Sequence, residues 1–354
     1  MIMATSRRPI PQRGCLEVSL NLGEGVGLTT TSASLLLLVA SLSGCGFFTD
    51  AEERADLNDF PVERSALLEH LNFLAADSLY GRRAGTTSEL QATEYVRDEF
   101  VTYGLEPSIA GYLQTFDLTP PERQGGIAAA GTVSQVVSQN VLATLPGRGT
   151  LGSEWVVLGA HYDHVGFEES GDSILVFNGA DDNASGTALL LEAARILSEF
   201  AALDTVVDRR SIMFHAYGAE EVGLVGSFYF TYNPTVPLET IVAMLNVDMV
   251  GRLREDLTVR GVSTGAWWPS MLADLNEGRL QLALPEGSLG RSDQYPFVLL
   301  GIPVLHFFTG THAEYHTPLD DVWLLNLDGV EEIGRLVVVL LWEVAVRPNL
   351  ALAH

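Results

Sequence analysis

WVVLGAHYDHVG, residues Trp155–Gly166, begins as an unbroken apolar run and ends in a cluster of His and Asp. The run Trp155–Ala160 reads as a buried strand. The polar cluster lies directly beyond its carboxyl end. The same order of events recurs downstream. Ser211–Tyr217 reads as a strand and is followed by Glu220 and Glu221. Ile241–Val247 is followed by Asp248, and Ile302–Phe308, after a short loop, by His316. Helical patterns fall between and after these runs, at Ser185–Phe200, Leu224–Tyr232 and Val330–Val346. Such alternation predicts a largely parallel sheet covered by helices. In sheets of that kind ligands bind at the carboxyl ends of the strands, where these polar residues collect. The last helix is strongly apolar, but Arg335 and Glu343 mark it as a core helix and not a membrane span.

Upstream of Trp155, apolar spacing predicts a helix over Glu63–Asp77 and a turn rich in Gly and Arg over Tyr80–Thr87. A second helix is predicted over Ser88–Tyr103, closed by Gly104. Tyr112–Leu118 and Gln139–Leu145 alternate as strands, with a Pro/Gly-rich loop from Pro120 to Gly131 between them. Neither an internal repeat nor a second domain is evident. Residues 63–354 are expected to form one domain.

The chain has 354 residues, 47% hydrophobic content and a formal net charge of -25, and its twenty basic residues are all arginine. That acidity argues against nucleic acid as a partner, because the phosphate backbone would be repelled. The two cysteines, Cys15 and Cys45, both lie in the amino-terminal segment, so the body of the chain has no disulfide. Residues 1–44 read as a signal segment, with the apolar run Leu35–Ala40 ahead of small residues. Arg7, Arg8 and Arg13 lie far upstream, with Glu17 and Glu24 intervening, which points to an over-long start. Residues 45–62 read as an acidic tether. Leu42-Ser43-Gly44-Cys45 resembles a bacterial lipobox, which implies lipidation at Cys45 and a place in the bacterial cell envelope, facing the periplasm or exterior, with secretion as the alternative.

Five residues beyond the strands have identities suited to a pair of zinc ions: His161, Asp182, Glu221, Asp248 and His316. Imidazole favours zinc among the common metals, and carboxylates supply oxygen ligands and a bridge. Glu220 stands beside a ligand without being needed as one, where a general base would be placed. His164, His215 and His306 are expected to be structural.

The motifs GAHYDH, GADDNASG, AEEVGLVGS, NVDM and YHTPLD together resemble peptidase family M28, the co-catalytic zinc aminopeptidases. LAADSLYGRRAGT and ATEYVRDEFVTYGL are similar to that family's opening helices. The resemblance implies a three-layer α/β/α sandwich with a mixed, mainly parallel central sheet, and two zinc ions per chain. It implies that Asp182 bridges the ions, with His161 and Asp248 completing one and Glu221 and His316 the other. Asp182 is chosen over Asp181 because it lies four residues before Gly186, as the family's pattern requires. His316 is chosen over His312 because Thr317-Pro318-Leu319-Asp320 follows it, which leaves His312 as an expected rim residue. Asp163 would orient His161, Glu220 would be the general base, and Tyr315 could donate a hydrogen bond to the developing oxyanion. Ser292-Asp293-Gln294 resembles a pocket-lining segment in which His usually stands where Gln294 does, which makes Asp293 a candidate for substrate binding. Peptides are the implied substrates, cleaved at the amino end, with large apolar residues such as leucine as the default preference. A carboxypeptidase, a glutaminyl cyclase-like enzyme and a non-catalytic binding module are the alternatives.

Overall fold

A computed structural model describes residues 56–118, 136–203, 208–287 and 289–350. The signal segment, Cys45, most of the tether and the Pro120–Gly131 loop lie outside the described residues. The strands are β1 (Glu106–Pro107), β2 (Leu113–Asp117), β3 (Val137–Leu145), β4 (Trp155–His161), β5 (Phe167–Ser170), β6 (Ser173–Val176), β7 (Ser211–Tyr217), β8 (Ile241–Val247), β9 (Leu257–Arg260), β10 (Leu282–Ala283) and β11 (Val304–Phe308). The α-helices are α1 (Arg64–Leu74), α2 (Thr87–Thr102), α3 (Gly186–Leu203), α4 (Val225–Tyr232), α5 (Trp268–Asn276), α6 (Tyr295–Leu299) and α7 (Leu327–Val346).

Nine strands form one sheet in the order β1-β3-β7-β4-β8-β11-β9-β10, with β2 also on β3. β7, β4, β8 and β11 run parallel at its centre. β3 and β9 pair antiparallel to their inner neighbours. The sheet is therefore mixed with a parallel heart, as the sequence led one to expect.

Alternation along the central strands divides the core in two. Val156, Leu158 and Ala160 of β4, with Ile212, Phe214 and Ala216 of β7, pack into the larger apolar cluster, which includes residues of α1, α2, α3, α5 and α7. Val157 and Met213 point the other way, into a smaller cluster with Phe230 of α4 and Phe297 of α6. Both faces of a central strand are thus buried, which is why these runs are continuously apolar instead of alternating with polar residues. No helix among the described residues is long and apolar enough to cross a membrane.

The topology also fixes where a ligand can enter. From β4 the chain passes through α3 to β7 on one side, and then through α4 to β8 on the other side of β4. The two connections lie on opposite faces of the sheet and place β7 and β8 on either side of β4, so a crevice opens at its carboxyl end. His161 is the last residue of β4 and stands at that point.

The strands Ser211–Tyr217 and Ile241–Val247 have the ends read from the sequence. The last strand begins at Val304 and not at Ile302, and the last helix begins at Leu327, three residues early, where the Asn326 side chain accepts the Gly329 N–H as a cap. The β5–β6 hairpin was not anticipated. All four residues of β5 are exposed, so the strand carries no apolar alternation to read.

Candidate metal centre

Four connections converge above the crevice. β4 ends in His161, the β7–α4 turn carries Glu220 and Glu221, β8 is followed by Asp248, and the loop after β11 carries His316. The turn before α3 carries Asp182 beneath them. His161 Nε2 lies 3.3 Å from Asp182 Oδ1 and 3.4 Å from Asp248 Oδ1. His316 Nε2 lies 3.0 Å from Asp182 Oδ2 and 3.2 Å from Glu221 Oε1. Asp182 therefore turns one oxygen to each half of the cluster.

The two His161 spacings suit a shared ion better than an ordinary hydrogen bond, while the two His316 contacts are within hydrogen-bond range. A tetrahedral zinc with ligand bonds of about 2.0–2.2 Å separates its ligand atoms by roughly 3.3–3.6 Å. Asp248 Oδ1 is buried with no hydrogen-bond partner among the described residues, an arrangement that is costly without a cation. The ligand-type side chains fall into two sets, His161–Glu220–Asp248 and His164–Asp182–Glu221–His316, within each of which the donor atoms lie inside 4.8 Å of one another. Imidazole and carboxylate donors in two adjoining sets fit two zinc ions.

His164, expected to be structural, joins the second set. Its Nδ1 lies 2.9 Å from Glu221 Oε1 and 3.8 Å from Asp182 Oδ2, and its ring meets that of His316 edge-on. The other two histidines behave as core residues. His215 Nδ1 contacts the Tyr217 hydroxyl at 2.9 Å, and burial lowers its pKa to about 3. His306 contacts Gln294, and burial lowers its pKa to about 4.

The surrounding residues explain the motif spellings. Asn183 donates to the Val247 carbonyl and accepts the N–H groups of Gly186 and Met249. Ser185 Oγ accepts the Val250 N–H. The Asp182 turn is thereby stitched to the loop that carries Asp248. A Cβ at Gly186 would lie 2.4 Å from the Val247 carbonyl oxygen, so only glycine allows this approach. Asp320 Oδ2 accepts the backbone N–H groups of Asp181 and Asp182, which ties the loop carrying His316 to the same turn. Asp163 accepts the N–H groups of Glu220 and Glu221, and its backbone oxygen and carboxylate face His161 Nδ1 at 3.3 and 3.7 Å. With Nδ1 so engaged, His161 Nε2 is left to face Asp182 and Asp248.

Arg82 is fully buried under the site. Its guanidinium donates to the carbonyls of Leu74, Tyr162, Asn178 and Gly179. Burial lowers its pKa to about 10, against the opposing fields of Asp163, Asp182, Asp320 and Glu221. His312 is no rim residue: its side chain is buried, with Nε2 at 3.2 Å from Asp181 Oδ2 and Nδ1 at 3.1 Å from Glu314. Asp181 also accepts the Gly251 N–H and the Ser185 hydroxyl. Neither Asp320, Arg82 nor the His312–Asp181 pair was assigned a role from the sequence. The Asp320 signal lay in the YHTPLD motif and that of Arg82 in LAADSLYGRRAGT, but neither spelling shows which groups the side chain meets.

Backbone strain concentrates here. Ala219, Met249 and His316 adopt left-handed φ values of 60°, 53° and 53°. These residues precede Glu220, follow Asp248 and carry the imidazole itself. Each costs about 1–2 kcal/mol relative to relaxed backbone, which the stitching hydrogen bonds must hold.

The electrostatics separate the carboxyls. Burial pushes Glu220 up to about 10, with Asp293 and Asp248 adding to the shift and His161 opposing it. Burial would also raise Asp182 and Glu221, but their imidazole partners outweigh it and hold both below the usual range. His316 is raised to about 10 by its bonds to Asp182 and Glu221. Tyr315 stacks on His316 with centroids 3.9 Å apart and lines the cleft. Asp293 is fully buried, raised to about 7 chiefly by burial, and does not line the cleft. Its carboxyl interacts electrostatically with His161 and Glu220.

The model of Peptidase family M28 matches residues 140–341. Aminopeptidase YwaD of Bacillus subtilis (strain 168) is 32% identical over 219 residues, covering 58% of this chain and 44% of the relative. Leucine aminopeptidase 1 of Uncinocarpus reesii (strain UAMH 1704) is 30% identical over 222 residues, covering 58% of this chain and 54% of that protein. The chain thus spans about half the length of the curated relatives it matches. Among solved structures, BSAP, a zinc aminopeptidase from Bacillus subtilis, superposes with a TM-score of 0.64 at 20% identity, covering 81% of this chain and 96% of that one. Porphyromonas gingivalis glutaminyl cyclase superposes with a TM-score of 0.65 at 19% identity, covering 82% and 100%. At such identities the superpositions establish the fold.

Proposed function

The chain belongs to peptidase family M28, and from that premise we propose that it is a two-zinc aminopeptidase that removes single residues from the amino end of peptides. One observation carries this reading: Asp182 presents one carboxylate oxygen to His161 and the other to His316, between two sets of ligand-type side chains. A glutaminyl cyclase-like enzyme on this fold needs a single zinc. Two complete half-sites favour the peptidase.

In this reading His161 and Asp248 would hold one ion, Glu221 and His316 the other, and Asp182 would serve both. His164 steadies Glu221 from below. When bound, the ions supply Lewis acidity, polarising a carbonyl and lowering the pKa of water. The chain's own residues do the rest. Asp163 fixes the His161 ring and the Glu220–Glu221 turn together. Glu220, which lines the cleft, takes a proton from the attacking water on its carboxylate and returns it to the leaving amine nitrogen. The Tyr315 hydroxyl, its pKa raised by burial, stays protonated and can donate to the oxyanion. The carboxylates of the site favour a substrate with a free amine.

A matched pair of amino-acid anilides tests the activity on zinc-loaded protein. The free amine is expected to be cleaved and the acetylated form to be resistant. Equal cleavage of the two, or cleavage only at a free carboxyl end, would reject an aminopeptidase.

The Leu42–Cys45 tetrad supports a place in the cell envelope, with the chain held by acyl groups on Cys45 and facing the periplasm or exterior. More than one acyl chain is needed for stable attachment. Mass spectrometry of the mature amino terminus is expected to find lipidated Cys45. An unmodified terminus elsewhere would leave secretion as the reading.

A further inference from the structure

The cleft beside the carboxylates has a volume of about 130 Å3 and two unlike walls. One is the acidic cluster. The other includes Arg260, Arg291, Phe308 and Tyr315. Two arginines in so small a space are unexpected in a chain with 45 acidic and only 20 basic residues.

The sheet explains how one of them arrives. β9 and β11 pair antiparallel, with Arg260 opposite His306 and Thr258 opposite Phe308. On one face of such a pair, diagonal side chains two residues apart reach each other. The Arg260 guanidinium accordingly lies 4.7 Å from the centroid of the Phe308 ring. Stacking fixes the guanidinium plane and leaves its N–H edges open. Gly290 packs close by: a Cβ there would meet His306 Nδ1 at 2.7 Å first and Arg260 Cδ at 3.3 Å.

Neither arginine side chain makes an ion pair or hydrogen bond with a described residue. Elsewhere in the chain, Arg64, Arg195, Arg210, Arg252 and Arg279 each pair with a carboxylate. If Arg260 and Arg291 served to neutralise the acidic cluster, they would lean on Asp248 or Glu220, and they do not. Their donors are free for an acid that a ligand brings.

We infer that Arg260 and Arg291 receive the side-chain carboxylate of the substrate's first residue, so that the preferred substrates begin with glutamate or aspartate. This rests on the aminopeptidase reading above. With the scissile carbonyl and amine held at the carboxylates, the first side chain is the part that fills the remaining cleft. The large apolar side chain expected from family resemblance would instead cover the half-buried Arg260 without satisfying its donors, which is costly, and would leave the exposed Arg291 unengaged. An Arg–carboxylate contact is charge-assisted and can be bidentate.

The test compares glutamyl, glutaminyl and leucyl anilides on the zinc-loaded protein, with and without Arg260→Gln and Arg291→Gln in combination. Glutamyl is expected to exceed its neutral isostere, glutaminyl, by about tenfold or more in kcat/KM, the worth of one well-placed hydrogen bond to a charged group. The double variant is expected to bring that ratio down toward unity. Leucyl or glutaminyl cleaved by the unsubstituted protein as well as glutamyl, or a ratio indifferent to the variants, would overturn the inference while leaving the aminopeptidase intact. A variant that instead discriminates against Leu-Gly relative to Leu-Gly-amide would show that the arginines hold a peptide's carboxyl terminus, and would overturn the side-chain assignment. If no anilide is cleaved, it is the aminopeptidase reading that fails. Calorimetry with free L-glutamate and L-glutamine then still decides: tighter binding of glutamate that depends on the two arginines supports the inference, and equal binding overturns it.

Discussion

Glu220→Gln keeps the metals and the fold and lowers turnover by about two to four orders of magnitude, the usual share of a general acid–base group. Glutamine matches the side chain in volume, and the Glu220 backbone N–H still bonds to Asp163. What is lost is the carboxylate that accepts a proton. The competing role is concrete, because Glu220 lies with His161 and Asp248 in one of the two ligand-type sets. Metal content by elemental analysis, measured beside turnover, separates the two. Loss of one metal with turnover per remaining metal preserved would make Glu220 a ligand.

Asp182→Ala empties both half-sites, so metal content falls from two ions per chain to nearly none. Only this carboxylate faces both imidazoles, His161 and His316, across the two sets. Asp181→Ala has a different signature. Its carboxylate faces His312, the Gly251 N–H and the Ser185 hydroxyl, none of them in the ligand sets. Removing it strands His312, whose raised pKa owes most to Asp181, and costs stability on the order of 3 kcal/mol while metal is retained. Elemental analysis and thermal unfolding of the two variants read these outcomes separately. Loss of both metals in Asp181→Ala with none lost in Asp182→Ala would reverse the assignment.

Much of this was legible in the chain because the parallel strands are buried on both faces. Burial made Trp155–Ala160, Ser211–Tyr217 and Ile241–Val247 continuous apolar runs, and each run's end marked where a polar residue meets the crevice. His161, Glu220, Glu221 and Asp248 could be placed on that ground, and Asp182 and His316 through the motif spellings. The helix Trp268–Asn276 was passed over although its apolar face, Trp268, Met271 and Leu272, is regular. β9 was passed over because four residues give too little pattern. That omission hid the arginine-bearing wall of the cleft, since Arg260 is brought there by the register of β9 against β11. His164 and His312 were misjudged for a related reason. Whether a loop imidazole turns outward or inward depends on partners such as Glu221 and Asp181, which lie 57 and 131 residues away in the chain.

The buried Arg82 bears on how long a piece of this protein can stand alone. The region common to the family begins at residue 140, yet Arg82 reaches from outside it to bind the carbonyls of Tyr162, Asn178 and Gly179 within it. Those carbonyls flank His161 and the turn of Asp182. A fragment trimmed to residues 140–341 would leave them facing a hole where a cation had been, in the field of four carboxylates and with the first two helices gone. The span over which the family's signature is read and the span needed to hold its residues in place are thus different lengths of chain.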